Sequence, residues 1–519
     1  MSTLAVDTQH LWLRWQSHVP AIVLVGLMAY LAIIVATQVF FTSPGYDDSY
    51  YGSVARNFAA GRGYGTIYGE TNLVLSPENT VGPTVLVPAA ASFKLFGNHY
   101  WAGALAGSTI SLILLATICW LLASRLKVPA AMLCLMVVVL QIFTNDRTRS
   151  GDVFNSWSHL MGEIPAALLV IMAAVLLCLR RSDWRLHMIA GVCLALAFYS
   201  KFFVVLAVPG FALFYVWDYW ENRRLQPFLA FIAAGLSVVA LVEGGKLLYL
   251  GSWAEYASNV KGVVRFYQDW RPAGVIDDST IASLTDQLNL SIAIVPLVLW
   301  AAAAMAAAAL TRRRGEVDAN EALRLKLAVI LIAGGLVHSY WWWAINDAGW
   351  TRHLIPAIMY LTVGLFVLGS VVPSRLVRYS GLAVFALLLL PNVSDVAQMT
   401  PETRSEARLT ALLNTSAYLN SIESQDEDVS FWGCGWWANR DLHFVGDLRF
   451  YDCSDPGSVA RHVRSGERLL LVRSEFFNWE KNPNFAALAA DCDQRTLFRE
   501  WSFAICDATP WLSRSSTGY

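Results

Sequence analysis

Two neighbouring carboxylates, Asp47 and Asp48, follow the first long apolar stretch of the 519-residue chain. A helix-period pattern that runs from Tyr51 to Phe58 places both acids at the start of a helix. In that position a carboxylate can accept hydrogen bonds from free backbone N–H groups and oppose the positive end of the helix. The same carboxylate can instead act as a general base that takes the proton of an incoming hydroxyl group. The residues alone leave both interpretations open.

A second group of ionisable residues lies in one short segment that leads into another apolar stretch. Glu163 stands at the start of that stretch, where a carboxylate must be paired or desolvated, so it is a candidate functional group. A solvated acid at a helix start is the alternative. If the helix begins early, His159 and Glu163 are one turn apart, and with Asp48 they are candidate ligands of a divalent metal. The segment also contains Asp146, Arg147, Arg149 and Asp152.

Cations stand at two further places in the chain. Lys201 lies in the middle of a long apolar hairpin, and Arg352 and His353 directly precede another apolar stretch. Guanidinium binds phosphate oxygens in a bidentate manner and ammonium binds them as a point charge. Together with Arg56, these cations suit an anionic group such as a lipid phosphate. The alternative for Lys201 is a side chain that reaches from an apolar segment to the membrane interface.

A tryptophan cluster lies at the end of another apolar stretch. Tryptophan is enriched at membrane interfaces, so an aromatic belt is one interpretation. A platform on which a sugar ring stacks is the other. The cluster consists of Trp341, Trp342, Trp343 and Trp350.

The composition is that of a membrane protein. Hydrophobic residues make up 56% of the chain and charged residues only 15%, against about 25% charged in ordinary soluble domains. These values exclude a soluble enzyme, a disordered protein and a small disulfide-rich protein. A formal net charge of −1 also argues against a nucleic-acid partner, which a basic surface would recognise.

Apolar stretches that can cross a hydrocarbon core of about 30 Å predict about eleven spans. The first stretch is longer than the apolar region of a typical signal peptide and has no clear cleavage site after it, so we expect an uncleaved anchor. The predicted spans are 18–41, 100–123, 128–143, 163–179, 187–200, 201–217, 226–250, 287–310, 325–345, 353–372 and 379–393.

The distribution of basic residues predicts the orientation. If the apolar segment 81–97 lies along the interface and does not cross, the short basic loops all fall on the side of the N-terminus. The excess of Lys and Arg makes that side cytoplasmic. The segments that then face outward are 42–99, 144–162, 251–286, 346–352 and 394–519.

The composition becomes polar after residue 393, which predicts a membrane domain at 1–393 and a small extracytoplasmic α/β domain at 394–519. A helix is predicted at 401–422, and strands near 429–432, 469–472 and 497–504. Four cysteines of this domain suit two disulfides, with the local pairs Cys434–Cys453 and Cys492–Cys506 as one of three connectivities. A zinc site is the alternative, although neither spacing matches a CxxC knuckle.

The order of these motifs resembles that of the glycosyltransferase C superfamily, with bacterial aminoarabinose transferases and protein O-mannosyltransferases as the nearest relatives. The resemblance extends from residue 18 to about residue 372. It rests on Asp47-Asp48-x-x-Tyr51-x-x-x-Ala55-Arg56, Gly82-Pro83-Thr84, Gly162-Glu163-Ile164-Pro165, Ser200-Lys201-Phe202 and Arg352-His353-Leu354-Ile355-Pro356.

The resemblance implies an enzyme that transfers a sugar from a polyprenyl-phosphate carrier to a lipid, glycan or protein acceptor on the outer face, with inversion. It implies Asp47 as the base and Glu163 as an assisting acid. Asp48 and Glu163 would orient the acceptor or hold a divalent cation. The candidate substrate-binding residues are Arg56, Lys201, Arg352, His353 and Tyr51.

One departure concerns the carrier phosphate. Aminoarabinose transferases have Lys-Pro-Pro after the first juxtamembrane helix, whereas this chain has Asn79-Thr80-Val81-Gly82-Pro83. Lys201, Arg352 or Arg56 must therefore take the role of the missing lysine.

The leading hypothesis is a multi-pass enzyme of the bacterial inner membrane, with a cytoplasmic N-terminus and an extracytoplasmic C-terminal domain. One alternative is a transporter or flippase of a lipid-linked sugar, although transporters usually have repeats and polar groups at mid-membrane. The other is an envelope assembly subunit whose outer domain binds a partner. That alternative predicts that the acids at 47, 48 and 163 lie far apart.

Overall fold

The protein is described by a computed structural model over residues 3–269, 319–344, 351–371, 403–474 and 496–510, with short gaps at 45, 69–70, 77–78, 144, 148–152, 180–182, 427, 434–436, 453–455 and 501–502. The chain forms two compact units. The helical unit comprises 1–35, 108–157 and 162–399, and the mixed unit comprises 36–107, 158–161 and 400–519.

Most elements before residue 372 are helices, whereas helices and strands alternate after residue 402. The first group is α1 (Thr3–Phe41), α2 (Tyr46–Ala59), β1 (Gly65–Tyr68), β2 (Thr71–Val74), α3 (Pro83–Phe96), α4 (Ala102–Ser124), α5 (Ala130–Phe143), β3 (Asn145–Arg147), β4 (Val153–Asn155), α6 (Glu163–Leu179), α7 (Trp184–Phe198), α8 (Val208–Asn222), α9 (Gln226–Leu250), α10 (Trp253–Asp269), α11 (Ala319–Ala344) and α12 (Ile355–Val371). The second group is α13 (Thr403–Glu423), β5 (Val429–Gly433), α14 (Trp437–Gly446), β6 (Phe450–Asp452), α15 (Pro456–Ser465), β7 (Arg468–Ser474), β8 (Thr496–Glu500) and β9 (Phe503–Asp507). Short 3₁₀ helices lie at Ser156–Ser158, Phe202–Ala207 and Thr351–Leu354.

Six helices of the described chain are long and apolar enough to cross a membrane, which confirms a multi-pass membrane protein. They correspond to the predicted spans 18–41, 100–123, 201–217, 226–250, 325–345 and 353–372. The predicted spans 128–143, 163–179 and 187–200 form the shorter apolar helices α5, α6 and α7. The remaining two, 287–310 and 379–393, lie outside the described residues. The predicted number of eleven spans is therefore not confirmed.

The helical unit is built from helices that differ in how much apolar surface they bury. α6 and α12 are buried over most of their length because neighbouring helices pack around them. α9 packs against α7 but leaves large apolar side chains such as Leu241 and Leu248 exposed. Exposed apolar surface on a long helix suits contact with lipid, because the helix satisfies its own backbone hydrogen bonds.

The mixed unit contains the first long segment between apolar stretches, 42–99. The predicted helix with its apolar face at Tyr51, Val54 and Ala55 is α2, and the three glycines after it lead into the antiparallel hairpin of β1 and β2. The apolar segment 81–97 forms α3, a 14-residue helix that packs against α2. The two helices share one hydrophobic core, to which Phe444 of the C-terminal part also contributes.

The C-terminal part of the mixed unit is the predicted α/β domain. Its five strands have the order β6-β5-β7-β9-β8, in which β5 pairs parallel with β6 and β7 while β9 pairs antiparallel with β7 and β8. The predicted helix at 401–422 is α13, and the predicted strands at 429–432 and 469–472 are β5 and β7. The third predicted strand, 497–504, is two strands, and β6 was not predicted.

Two predictions for this domain fall on residues that the structure does not describe. One is the predicted domain boundary between residues 393 and 394. The compact units divide the chain differently, because residues 36–107 belong to the same unit as the C-terminal part. The disulfide pairs are the other, because Cys434, Cys453 and Cys492 lie outside the described residues, so both pairs stay a prediction. Cys119, Cys134 and Cys193 of the apolar helices are not in disulfides.

Candidate active site

Asp48 lies in the first turn of α2 and is buried. One of its carboxylate oxygens, Oδ1, accepts a hydrogen bond of 2.7 Å from the backbone N–H of Leu160, and Oδ2 contacts Nδ1 of His159. The partners of this carboxylate are therefore 111 and 112 positions away in the sequence. Asp48 therefore fixes residues 159–160 against the start of α2. A hydrogen bond to an ionised carboxylate is stronger than one between neutral groups.

Asp47 differs from Asp48 because its side chain is partly exposed. Both acids lie in the first turn of α2, where the positive end of the helix dipole stabilises the ionised carboxylate. A partly exposed carboxylate at this position can meet an incoming hydroxyl group. The acid pair thus divides into one anchoring group and one accessible group.

Arg56, expected to bind substrate, is buried by the C-terminal part of the mixed unit. Its guanidinium donates hydrogen bonds to the backbone carbonyls of Phe444 at 2.8 Å and His443 at 3.0 Å, and pairs with Asp447 at 2.9 Å. Burial lowers the pKa of this guanidinium, and the charge of Asp447 opposes that effect. Arg56 therefore holds the end of α14 against α2, and its role as a phosphate ligand stays a prediction.

Tyr51, the other substrate candidate on α2, is also part of the packed core. Its ring is buried, and its hydroxyl shares a hydrogen bond of 2.5 Å with the hydroxyl of Thr80. The side chain connects α2 to the segment that precedes α3. A positioning role for Tyr51 follows from these contacts.

α14 packs along α2 and brings further ionisable groups to it. Gly52 is required at the contact, because a Cβ atom there would lie 2.4 Å from the ring of Phe444. Asp441, on the same helix as Phe444, is buried and pairs with Arg408 at 2.6 Å. Burial raises the pKa of the Asp441 carboxyl, while Arg408 and the hydroxyl of Ser49 act in the opposite direction.

Glu163 and Lys201 form a buried ion pair in the helical unit. The distance between Oε1 of Glu163 and Nζ of Lys201 is 3.1 Å. Their chain segments are also joined by the hydroxyl of Ser200, which donates a hydrogen bond of 2.9 Å to the carbonyl of Gly162. Gly162 has a φ angle of +85°, and a Cβ atom there would lie 2.6 Å from the backbone oxygen of Ser200. The turn before α6 therefore needs a glycine.

Arg352 and His353 lie in the 3₁₀ turn before α12, close to that ion pair. Arg352 and Lys201 both interact electrostatically with the Glu163 carboxylate. The backbone carbonyl of His353 accepts a hydrogen bond of 2.8 Å from Nε2 of His338 on α11. The structure thus brings Glu163, Lys201, Arg352 and His353 into one cluster.

Phe203 is the aromatic centre of this cluster. Its ring stacks with that of Trp341, with 5.9 Å between the ring centroids, and its centroid lies 5.1 Å from that of the His353 ring. The ammonium of Lys201 lies 5.9 Å from the centroid of the Phe203 ring. A cation over an aromatic face is stabilised by the ring quadrupole. Of the predicted tryptophan cluster, Trp341 packs against the buried core that contains Trp342, and Trp350 lies outside the described residues.

The three predicted metal ligands belong to two compact units, and a metal site among them stays a prediction. α6 begins at Glu163, so His159 precedes the helix and the two residues are not one helical turn apart. His159 contacts Asp48 in the mixed unit, whereas Glu163 pairs with Lys201 in the helical unit. In the parts of the chain that the structure describes, no three His, Cys, Asp or Glu side chains come together as a metal site requires.

The sequence of the chain also matches a family model. Residues 81–243, less than half of the chain, match the family described as dolichyl-phosphate-mannose-protein mannosyltransferase. This match identifies the protein as a glycosyltransferase. It agrees with the resemblance to the C superfamily, and the matched residues contain Glu163 and Lys201. No curated protein matches the sequence of this glycosyltransferase.

Solved structures also match this protein. The matches include ArnT from Cupriavidus metallidurans in the apo state and the same protein bound to undecaprenyl phosphate. Each shares 12% sequence identity with this glycosyltransferase at a TM-score of 0.44, and the alignment covers 94% of this chain and 98% of that chain.

The C-terminal part contributes to the surroundings of α2 without a signal in the sequence. Arg408, Asp441 and Phe444 lie more than 340 positions after α2. Their residue types are ordinary for a soluble α/β domain, and no motif connects them to Asp47 or Asp48. Only the fold brings these groups together.

Proposed function

We propose that the protein transfers a sugar from a polyprenyl-phosphate carrier to an acceptor on the outer face of the bacterial inner membrane. The matched family is described by its use of dolichyl-phosphate-mannose, which is a sugar on a polyprenyl phosphate. The multi-pass architecture suits a donor of this kind, because the polyprenyl chain stays in the hydrocarbon region while the phosphate and sugar reach the interface. The acceptor is a lipid, a glycan or a protein.

The observation that carries the proposal is the division of the acid pair. Asp48 is held by Leu160 and His159, whereas Asp47 is partly exposed in the same helical turn. In the proposed reaction, Asp47 accepts the proton of the acceptor hydroxyl as its oxygen attacks the anomeric carbon. The bond from that carbon to the phosphate oxygen breaks on the opposite side, so the product has the inverted configuration.

The leaving group of this reaction is polyprenyl phosphate, whose negative charge grows in the transition state. We assign Arg352 to that phosphate, because a guanidinium matches phosphate geometry and its charge stabilises the leaving group more strongly in a site with little water. Lys201 adds a second positive charge. The ion pair with Glu163 orients its ammonium, which carries three N–H donors.

The experiment is sugar transfer by the purified protein from a panel of synthetic polyprenyl-phosphate sugars that begins with mannose. Asp47→Asn keeps the shape of the side chain and removes the base, so we expect turnover to fall by about 10²- to 10⁴-fold. The anomeric configuration of the product, read by NMR, tests inversion. Asp426→Asn, which changes a half-exposed acid on the surface of the C-terminal part, is the matched control and should keep its activity.

Folding of the variants is compared through the thermal unfolding of each purified protein. Asp47→Asn should unfold like the wild type, since Asp47 is partly exposed. Near wild-type turnover by folded Asp47→Asn would exclude Asp47 as the base. Absence of transfer from every donor of the panel by the wild-type protein, in the presence of lipid, glycan and peptide acceptors, would count against the proposed function itself.

A further inference from the structure

α10 begins close to the end of a helix that can span the membrane. α9 ends at Leu250, Gly251 caps it with a φ angle of +77°, and α10 starts at Trp253. α9 is one of the helices that are long and apolar enough to cross a membrane. The two connecting residues reach about 11 Å at most, so the first turn of α10 lies near the depth at which α9 leaves the hydrocarbon core. That depth is the membrane interface.

Tyr256 sets the rotation of α10 about its own axis. Its hydroxyl donates a hydrogen bond of 2.9 Å to Oε2 of Glu243 on α9. The other oxygen of that carboxylate accepts a hydrogen bond of 2.9 Å from the hydroxyl of Tyr199, which caps α7. The ammonium of Lys246, also on α9, lies 5.8 Å from the centroid of the Tyr256 ring. The face of α10 that bears Tyr256 is therefore turned towards α9.

Another face of α10 leaves apolar side chains uncovered. Trp253 is 70% exposed and Val264 is 50% exposed, and the exposed Val260 lies between them on the same face of the helix. These three residues are the apolar stripe of α10. Leu248 and Tyr249, on the last turn of α9, are exposed as well and directly precede the stripe in the chain. The stripe thus follows on the apolar surface of a spanning helix, which points to lipid as its occupant.

Two cations border the apolar stripe. Lys261 and Arg265 are exposed, and each directly follows a stripe residue, so both lie on the same side of the stripe, one helical turn apart. Among the side chains of α10 that the structure describes, the acid is Glu255, which lies in the first turn and opposes the positive end of the helix dipole. An apolar face bordered by Lys and Arg is typical of a helix that lies in the plane of the interface, where the cations meet anionic headgroups.

We propose that α10 binds anionic phospholipid at the membrane interface, with its apolar stripe among the acyl chains and with Lys261 and Arg265 on the headgroup phosphates. The guanidinium binds phosphate oxygens in a bidentate manner, and the ammonium binds them as a point charge. The hydrogen bond between Tyr256 and Glu243 keeps the stripe turned towards lipid. This binding goes beyond the proposed sugar transfer and does not depend on it. A second copy of the chain is the competing occupant, because it would cover the same side chains.

The test measures which lipid surrounds α10 in nanodiscs that contain the full-length protein. Val264→acridonylalanine places a fluorescent side chain in the stripe. The bilayer is a mixture of phosphatidylcholine and phosphatidylglycerol, and one of the two lipids carries bromine on its acyl chains as a contact quencher. At equal mole fractions, we expect both brominated lipids to quench the probe, and brominated phosphatidylglycerol to quench it at least about threefold more strongly.

The charge dependence is tested in the same labelled protein. Lys261→Gln with Arg265→Gln keeps two polar side chains and removes both charges, so the ratio of the two quenching values should fall to about one while quenching itself persists. The matched control is Arg461→Gln with Arg464→Gln, which removes two exposed arginines from α15 and should leave the ratio unchanged. A salt concentration of about 1 M should lower the ratio in the labelled protein without further substitutions, because surface charges are then screened.

The outcomes separate the two occupants of the stripe. A second probe, Leu497→acridonylalanine, gives the baseline, because Leu497 is an exposed residue of the predicted extracytoplasmic domain. Quenching at Val264 that does not exceed this baseline would overturn the proposal, and a doubled particle mass would then identify a second copy as the occupant. Equal quenching by the two lipids, or a ratio that Lys261→Gln with Arg265→Gln leaves unchanged, would also overturn it. Sugar transfer is not measured, so failure of the proposed function leaves this result intact.

Discussion

Gly162 joins the 158–161 segment to α6 and has a φ angle of +85°. An L-residue is strained in this backbone conformation, and a Cβ atom would also lie 2.6 Å from the backbone oxygen of Ser200. Because backbone atoms cannot move aside as a flexible side chain can, the turn must open to admit a methyl group. Opening it would separate Ser200 from Gly162 and disturb the adjacent pair of Glu163 with Lys201.

Gly162→Ala should therefore lower the free energy of unfolding by about 2 kcal/mol or more. Gly251→Ala is the matched control, because Gly251 has a similar φ angle of +77° but no atom within 4 Å of the added Cβ. That control should cost only the backbone term of about 1 kcal/mol. Thermal unfolding of the two purified variants, followed by tryptophan fluorescence, gives the comparison. Equal midpoints would mean that the contact with Ser200 costs nothing.

At the scale of elements, Arg56 decides how α2 is held by α14. The side chain is 2% exposed and meets two backbone carbonyls and one carboxylate, whereas the neighbouring Arg62 is 40% exposed and lies 3.7 Å from the same Asp447. Removal of a buried hydrogen-bonded cation leaves unpaired acceptors behind, which costs much more than the loss of an exposed ion pair.

We expect Arg56→Met to destabilise the protein by about 3 kcal/mol and Arg62→Met by less than about 1 kcal/mol. Thermal unfolding checks both values. Binding of polyprenyl phosphate, measured in parallel on each folded variant, separates the structural role from the role in the original prediction. If Arg56→Met unfolds like the wild type but no longer binds polyprenyl phosphate, Arg56 is a phosphate ligand after all.

The same helix contact should respond to pH through His443. Burial, followed by the charge of Arg56, lowers the pKa of His443 to about 4, while its Nδ1 donates a hydrogen bond of 2.6 Å to the carbonyl of Leu448. The unfolded chain binds a proton near pH 6.5, where the folded chain does not. The contribution of His443 to stability is therefore complete above that pH and is lost as the pH falls towards 4.

By pH 5 the loss from His443 should be about 2 kcal/mol relative to neutral pH. His443→Gln keeps a side-chain donor for Leu448 but cannot titrate in this range. We expect the variant to be less stable than the wild type at pH 7.5 and to lose less stability between pH 7 and pH 5. The measurement is the unfolding midpoint of both proteins across that range. Parallel pH curves would rule out His443 as the titrating group.

In the whole molecule, the sequence predicts helices and strands that depend on local patterns, but it does not predict contacts between distant positions. The apolar period of α2 and α13 and the strand runs of β5 and β7 depend on neighbouring residues, so the sequence predicts them. The contact of Asp48 with His159 and that of Arg408 with Asp441 join positions 111 and 33 residues apart, and no spacing rule links such positions. The contacts of Arg56 with residues 443, 444 and 447 could not be predicted for the same reason.

The grouping of the first long segment with the C-terminal part can be tested on the intact protein. A specific protease site placed between residues 399 and 400 cuts the chain where the C-terminal segment of the mixed unit begins. After cleavage, the fragment 400–519 should remain bound to the rest, because Phe444 lies in the core shared with α2 and α3 and Arg56 is buried against α14. Co-purification of the two pieces from detergent measures this association.

The cleaved protein also offers a graded control for that association. Phe444→Ala removes a ring that is 2% exposed, at a typical cost of about 3–5 kcal/mol, and should release most of the fragment. Leu497→Ala, at a position that is 42% exposed, should release none. Complete dissociation of the cleaved wild-type protein under the same conditions would show that α2, α3 and α14 do not form one stable core.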